Sequence, residues 1–301
     1  MNGREPLVTI GIPTYNRALL VGRAIDSALA QDYPQLEIIV SDNASTDGTA
    51  QACRERAAGD RRLRYARQPH NIGATRNFEE VLRLSSGEYF MWLGDDDWID
   101  PDYVRLCLGT LVDDAGMALV GGVPHYYDKG IGKGPGQRLS LPQRAWWRRV
   151  IAYFWQVRDN GIFYGLARTE SLRGLLPIRN VMAGDWLHIA VLASQGCVCT
   201  IDATRVHREM GGATASYPQI ARSLGLRPIA GRFPFSFIAW AAFADIAWRH
   251  GGYSDRPRRA RLALAVAVAC CLMTRGAIVA SAPVRTAYRR VLLALSMRAG
   301  A

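Results

Sequence analysis

The sequence predicts an α/β chain with a mostly parallel sheet covered by helices on both faces, followed by a helical C-terminal region. Three observations lead there. Short apolar runs alternate with segments of helical spacing through the first part of the chain, and polar residues gather directly after those runs. From Tyr217 onward the pattern turns helical and apolar.

The elements follow in order. Val8–Ile12 is a β-rich run, and Ala18–Ala30 places Leu20, Ala24, Ile25, Ala28 and Leu29 on one helical face. Leu36–Val40 is a second strand, Asp47-Gly48-Thr49 opens a helix to about Ala58, and Leu63–Ala66 is a weaker strand. Ala74–Leu84 reads as helix and Glu88–Leu93 as strand. Pro101 opens another helix in the position proline favours, and Met117–Val123 is a further strand. Gly130–Gly136 reads as a flexible loop, Trp146–Trp155 is aromatic and basic, and a second short α/β region runs to about Ser216. The chain therefore divides into residues 1–125, 126–216 and 217–301, the first two as parts of one domain.

With 49% hydrophobic and 21% charged residues the chain is globular rather than disordered. Its net charge of +11 is almost all arginine, since Lys129 and Lys133 are the only lysines. That balance suits acidic partners such as nucleotides, lipid diphosphates or anionic lipid, although arginine-rich coding in a GC-rich genome produces it equally well. No stacking motif supports a nucleic-acid partner. Cys53, Cys107, Cys197, Cys199, Cys270 and Cys271 form no C-x-x-C pair, which argues against zinc and for reduced thiols in the cytoplasm. Met1 to Pro6 leads straight into a strand without a signal-peptide core, a further reason to expect a cytoplasmic location.

Leu262–Met273 is an apolar run well short of the roughly 20 residues that span a bilayer. Arg256, Arg258, Arg259 and Arg261 precede it and Arg275 follows, with Arg285, Arg289 and Arg290 before a second run at Val291–Leu295. It reads either as a helix packed on a core or as a basic amphipathic surface resting on anionic lipid at the inner face of the cell membrane.

In open α/β sheets ligands bind beyond the carboxyl ends of the strands, so residues directly after strands carry the chemistry. Gly94-Asp95-Asp96-Asp97 follows a predicted strand. Adjacent carboxylates repel one another, and a divalent cation such as Mg²⁺ or Mn²⁺ relieves that repulsion, so Asp95, Asp96 and Asp97 are metal-site candidates. The competing reading is an acidic cap on the helix that starts near Pro101. Asp42 follows another strand and could accept hydrogen bonds from a base or ribose, whereas Asp47 looks like a helix cap. Arg76 lies in the first turn of a helix, where the dipole opposes it, and an arginine there often holds an anion.

Ile12-Pro13-Thr14-Tyr15-Asn16-Arg17, Ser41-Asp42-Asn43-Ala44-Ser45-Thr46-Asp47-Gly48-Thr49, Asn71-Ile72-Gly73 with Arg76-Asn77, and Gly87-Glu88-Tyr89 leading to Asp95-Asp96-Asp97 together resemble the family-2 glycosyltransferases. The likeness covers about the first 110 residues in the family's order. It implies a GT-A fold (a Rossmann-like nucleotide-binding sheet), a nucleotide-diphosphate sugar donor, Mn²⁺ or Mg²⁺, and transfer with inversion to an acceptor hydroxyl. By the family's pattern Pro13, Tyr15 and Asp42 hold the nucleoside and Arg76 supports the nucleotide, while Asp95–Asp97 is the D-x-D type motif. By spacing alone that motif is Asp95 and Asp97. With Pro101 as anchor, Asp96 is the metal ligand, Asp95 lies near the ribose and Gly94 takes the place of the first acid; this register is preferred.

In the second half, Gly184-Asp185 falls where relatives carry a Glu-Asp pair, which implies Asp185 as catalytic base. The residue also suits an N-cap for a helix over Trp186–Ala193, with the Trp186 indole as a face on which a sugar could stack. Arg205-Val206-His207-Arg208 with Ser216 resembles the family's Arg-x-His and Ser pattern, implying His207 as a further metal ligand rather than a surface histidine. The resemblance points to a glycan or lipid-linked acceptor in bacterial surface polysaccharide or glycolipid assembly, deoxyhexose transfer included. A sugar nucleotidyltransferase would carry a glycine-rich basic loop after its first strand, where this chain has Pro-Thr-Tyr-Asn. A catalytically inactive nucleotide- or lipid-binding module sits poorly with an intact acid cluster.

Overall fold

The structure, a computed structural model, describes residues 5–210, 216–248 and 252–281. Two compact units compose it. One comprises Met1–Asn180 with Gly184–Gly212, the other Val181–Ala183 with Ala213–Ala301.

In the first unit β1 (Val8–Thr14), β2 (Leu36–Asp42), β3 (Leu63–Arg67) and β4 (Tyr89–Trp92) run parallel in the order β3-β2-β1-β4. Every residue of β1 is buried, as expected of a strand covered on both faces. Packing is so close at Gly11 that an added Cβ would meet the Phe90 ring at 2.6 Å and Val81 at 2.9 Å. Helices α1 (Val21–Leu29), α2 (Thr49–Gly59), α3 (Ala74–Leu84) and α4 (Tyr103–Asp113) connect or follow these strands, near the positions the periodicity predicts. The first helix starts three residues later than its apolar spacing suggests. Asn16 turns left-handed at φ 54, and the Arg17 and Ala18 amides donate to the Thr49 hydroxyl and the Asp47 carboxylate.

The chain then adds β5 (Trp98–Ile99), β6 (Met117–Asp128), β7 (Ile131–Pro135), β8 (Ser140–Leu141), α5 (Trp146–Gln156), a 3-10 turn at Gly161–Tyr164, β9 (Leu166–Arg168), α6 (Thr169–Arg173), α7 (Gly184–Gln195) and β10 (Cys197–Glu209). The same sheet continues as β4-β9-β6-β10-β5. Short β9 is antiparallel to both β4 and β6, so the sheet is mixed where the alternating pattern suggested a mostly parallel one. Gly130–Gly136, expected as a flexible loop, instead contains β7. Lys129 and Gly130 take left-handed φ values of 53 and 78 between the paired residues Asp128 and Ile131, closing a two-residue hairpin.

β10 is long and irregular, with register shifts between Cys197 and Val198 and between Ile201 and Arg205. It pairs with β6 from Cys197 to Glu209. Its last residues reach β5, setting Val206 opposite Ile99 and His207 opposite Trp98. One strand thus carries the half-buried cysteines Cys197 and Cys199 at its start and the Arg205–Arg208 motif toward its carboxyl end.

The second unit contains α8 (Tyr217–Ser223), α9 (Pro228–Arg232), α10 (Pro234–Trp248) and α11 (Arg258–Ala280). The last is far longer than the apolar run Leu262–Met273, because the arginines at its start and Arg275 are good helix formers and do not interrupt it. By length and composition it could cross a membrane. Arg285, Arg289, Arg290 and Val291–Leu295 lie outside the described residues.

Candidate active site

The loops after β1 and β2 are sewn together by side chains. The Asn16 carboxamide oxygen accepts from the Thr46 amide, the Ser45 hydroxyl accepts from the Asn16 amide, and Asp47 accepts from the Thr49 amide and hydroxyl. That last hydroxyl bond is the main reason the Asp47 carboxyl sits below its usual range. Buried Asn77 on α3 accepts from the Ser41 hydroxyl and donates to the Ser41 carbonyl, while Asn43 joins Asn71 and the Ile72 amide. The sequence motifs around Asn16, Asn43, Asn71 and Asn77 therefore serve first to fix the loops beyond the carboxyl ends of β1 and β2.

Asp42 closes β2 and is fully buried. Its Oδ1 accepts from the Ser45 amide at 2.8 Å and its Oδ2 from the Tyr65 hydroxyl at 2.6 Å. Burial, with Asp42 second, pushes the Tyr65 phenol up to about 12, so it remains a donor. A carboxylate has about four lone-pair sites, so two protein donors leave capacity for a ligand N–H or O–H. Pro13 is buried in β1 opposite Ser41, whereas Tyr15 just beyond the strand is exposed. Arg76 is exposed on the first turn of α3, with no hydrogen bond or ion pair among the described residues.

Beyond β4 the three carboxylates adopt different environments. Burial pushes Asp95 up to about 6, with Asp96 adding to the shift and Arg17, whose Nε is 3.7 Å away, opposing it. Burial likewise pushes Asp97 up to about 6 against the pull of Arg208. Asp97 accepts from the Glu209 amide at 3.0 Å and lies 3.4 Å from Arg208 Nε. Asp96 is half-buried, and its carboxylate makes no hydrogen bond or ion pair among the described residues. Its backbone carbonyl, in contrast, accepts from Arg23 at 2.6 Å. The Asp96 and Asp97 side chains fold back over Gly94. A Cβ there would lie 2.7 Å from Asp97 Oδ2 and 3.2 Å from Asp96 Oδ1, which is why glycine occupies this position.

This donor set fits a Mg²⁺ or Mn²⁺ ion shared with a ligand. Such ions are commonly held by one or two carboxylates plus substrate phosphates. No group of three or more His, Cys, Asp or Glu side chains among the described residues makes a complete protein cage. His207, expected as a ligand, is engaged elsewhere. Its Nε2 lies 2.7 Å from Asp100 Oδ1 and its Nδ1 3.1 Å from the Tyr127 hydroxyl. Its ring stacks on Trp98 at 5.0 Å, and the Arg23 guanidinium lies 3.7 Å from the Trp98 ring centroid. His207 thus buttresses the arginine that holds the Asp96 carbonyl, and Asp97 is likewise occupied by protein partners.

Asp185 lies in the first turn of α7 and is half-buried. Asn160 donates to its Oδ2 at 2.7 Å and in turn accepts from the Tyr153 hydroxyl at 2.7 Å. Asn160 is itself buried and left-handed, at φ 50. It escaped the sequence reading, although Asp159-Asn160-Gly161 carries a turn signal that could have found it. The 3-10 turn that follows ends at Tyr164, whose ring packs 4.7 Å from the Arg208 guanidinium, beside Asp97. This short turn links the Asp185 side of the sheet to the acid cluster. Trp186, expected as a stacking platform, is only 7% exposed; helical geometry turns the indole into the core.

The profile of the family described as "Glycosyl transferase family 2" matches residues 9–173. The chain is 38% identical over 118 residues to a chondroitin synthase from Escherichia coli, covering 39% of this chain and 17% of that protein. It is 38% identical over 93 residues to a GalNAc(5)-diNAcBac-PP-undecaprenol beta-1,3-glucosyltransferase from Campylobacter jejuni, covering 31% of this chain and 30% of that one. Among solved structures, the mannosyltransferase PcManGT from Pyrobaculum calidifontis, in complex with GDP-Man and Mn2+, superposes with a TM-score of 0.58 at 19% identity, over 98% of this chain and 87% of that chain. That likeness establishes the GT-A architecture. The chain spans under a third of the length of both curated relatives.

Proposed function

Because the chain belongs to glycosyl transferase family 2, we propose that it transfers a sugar from a nucleotide-diphosphate donor to an acceptor hydroxyl in one inverting displacement that requires Mn²⁺ or Mg²⁺. The observation that carries this reading is the acid cluster after β4, where, among the described residues, Asp96 alone of the three carboxylates makes no hydrogen bond or ion pair and Gly94 leaves room for it to fold back.

Asp42 and Tyr15, with Pro13 closing the strand behind them, receive the nucleoside, and Asp95 faces the ribose. Arg76, still without an acidic partner, meets the nucleotide's phosphates. Asp96 holds the ion with Asp97 beside it, and His207 acts as a further ligand only by giving up a present partner. When bound, the ion neutralises negative charge on the departing diphosphate.

At the start of α7 the Asp185 carboxylate takes the acceptor hydroxyl's proton while that oxygen attacks the anomeric carbon. The bond from the anomeric carbon to the diphosphate oxygen breaks, and the nucleoside diphosphate leaves with its electron pair. Asn160 occupies one carboxylate oxygen of Asp185, leaving Oδ1 for the proton. The Campylobacter relative acts on an undecaprenol-linked glycan by its name, which supports a glycan or lipid-linked acceptor in envelope polysaccharide assembly at the cytoplasmic side.

Calorimetric titration with UDP-, GDP-, TDP- and CDP-sugars, with and without Mn²⁺, tests the donor half. Metal-dependent binding of at least one is expected, and binding indifferent to Mn²⁺ overturns the metal assignment. The anomeric configuration of the product, read by NMR, tests inversion; a retained configuration rejects the single displacement.

A further inference from the structure

The second unit exposes what a water-soluble helix pair normally hides. The outward residues of α10 include Phe233 just before it, then Phe237, Trp240 and Trp248, spaced as one helical stripe. Phe233, Trp240 and Trp248 are 52%, 63% and 53% exposed. Trp240, Phe243 and Trp248 pack on one another, with ring centroids 5.3–6.1 Å apart, so this aromatic patch is continuous. On α11 the exposed stripe reads Leu262, Val266, Cys270, Met273 and Ala277, again at spacings of three and four. Only 28% of the apolar window of that helix is buried, so it is not a core helix.

Charge completes the pattern. Residues 216–248 and 252–281 contain eight arginines and two aspartates. Asp245 is buried and Asp255 is paired with Arg256, while Arg258 and Arg259 stand exposed where α11 begins. Exposed apolar stripes, tryptophans beside them and a cationic margin form the composition of an element that lies in a membrane interface. An aqueous protein partner would not require so one-sided a charge. α10 is about 22 Å long, too short for the roughly 30 Å hydrocarbon core, which favours insertion at the surface over a spanning hairpin.

We propose that α10 and α11 dock this chain on an anionic lipid bilayer, with the Trp240–Phe243–Trp248 patch inserted at the headgroup–acyl boundary and Arg258 and Arg259 on the lipid phosphates. This attachment requires no donor and does not depend on the transfer reaction, so it can fail while that reading stands, and the reverse.

The full chain is floated with vesicles of phosphatidylcholine alone or mixed with phosphatidylglycerol, at low and high salt, and with brominated lipid to quench tryptophan. Binding to the anionic vesicles, weakened by salt, and quenching by bromolipid are expected. The exposed-site variant Trp240→Ser/Trp248→Ser should bind at least about tenfold less, and Arg258→Ser/Arg259→Ser should lose the preference for anionic lipid. Both variants should keep the parent melting temperature and Mn²⁺-dependent donor binding. Equal binding to neutral and anionic vesicles overturns the proposal. So does unchanged vesicle binding by the tryptophan variant, or a self-association that this variant abolishes while the parent ignores vesicles.

Discussion

The two halves of the proposed site are built differently. On the proposed nucleotide side Asp42 and Asp97 are buried and each is held by at least two protein groups, and the loops around Asp42 are cross-linked by asparagines. On the other side Asp185 is half-buried, and among the described residues a single side-chain hydrogen bond, from Asn160, orients it. Loops locked by their own hydrogen bonds suit recognition of a ligand of fixed shape. A lightly held carboxylate suits a group that must meet a mobile acceptor and accept its proton. Substitutions on the first side should therefore cost binding and stability, and on the second, turnover.

The sharpest test of that division is Asp185→Asn, which retains shape but not basicity. General-base assistance is worth about 10²–10⁴-fold, so kcat should fall by that much, with donor Kd and melting temperature nearly unchanged. Near-normal transfer would move the base elsewhere. On the opposite side, Asp96→Ala should abolish Mn²⁺-dependent donor binding in calorimetry without unfolding the chain, because among the described residues that carboxylate makes no hydrogen bond or ion pair. Persistence of metal-dependent binding would shift the ligand to Asp95 or Asp97.

Asn160→Gly keeps the left-handed backbone but removes both side-chain bonds of the relay from Tyr153 to Asp185. Turnover should drop about tenfold or more, and about 1–3 kcal/mol of stability should be lost. If stability falls while kcat holds, Asn160 is a structural residue and does not position the base. For Tyr65→Phe the order reverses. Losing a hydrogen bond to a buried carboxylate should cost about 1.5–3 kcal/mol of stability, seen in urea unfolding, and donor Kd should rise while kcat changes little.

The smallest effect concerns pH. Asp95 and Asp97 are raised from 3.8 to about 6 in the folded chain. Between those values the folded state binds more protons than the unfolded one, so these groups make the metal-free chain less stable as pH rises from about 4 to 6. Asp95→Asn should flatten that slope in thermal melts, and Mn²⁺ should stabilise the parent more at pH 7.5 than at pH 5. An identical slope in the variant would mean that Asp95 is not desolvated.

Much of this was legible from local chemistry. Apolar periodicity located β1, β2 and β4 and their helices, since covered parallel strands read as apolar runs, while edge strand β3 gave a weaker signal. Position at strand ends singled out Asp42 and the Asp95–Asp97 cluster as candidates, because sheet geometry brings strand ends together. Tertiary packing decided the rest. β9 is three residues long, too short for any periodicity, and its antiparallel entry makes the sheet mixed. The surroundings that set Asp97 apart from Asp96 depend on Arg208 and the Glu209 amide, more than a hundred residues away. Burial of Trp186 and the engagement of His207 with Asp100, Tyr127 and Trp98 likewise arise from contacts between distant segments. A one-dimensional pattern records which side chains are available; which lone pairs are already taken depends on what the folded chain brings within 3 Å.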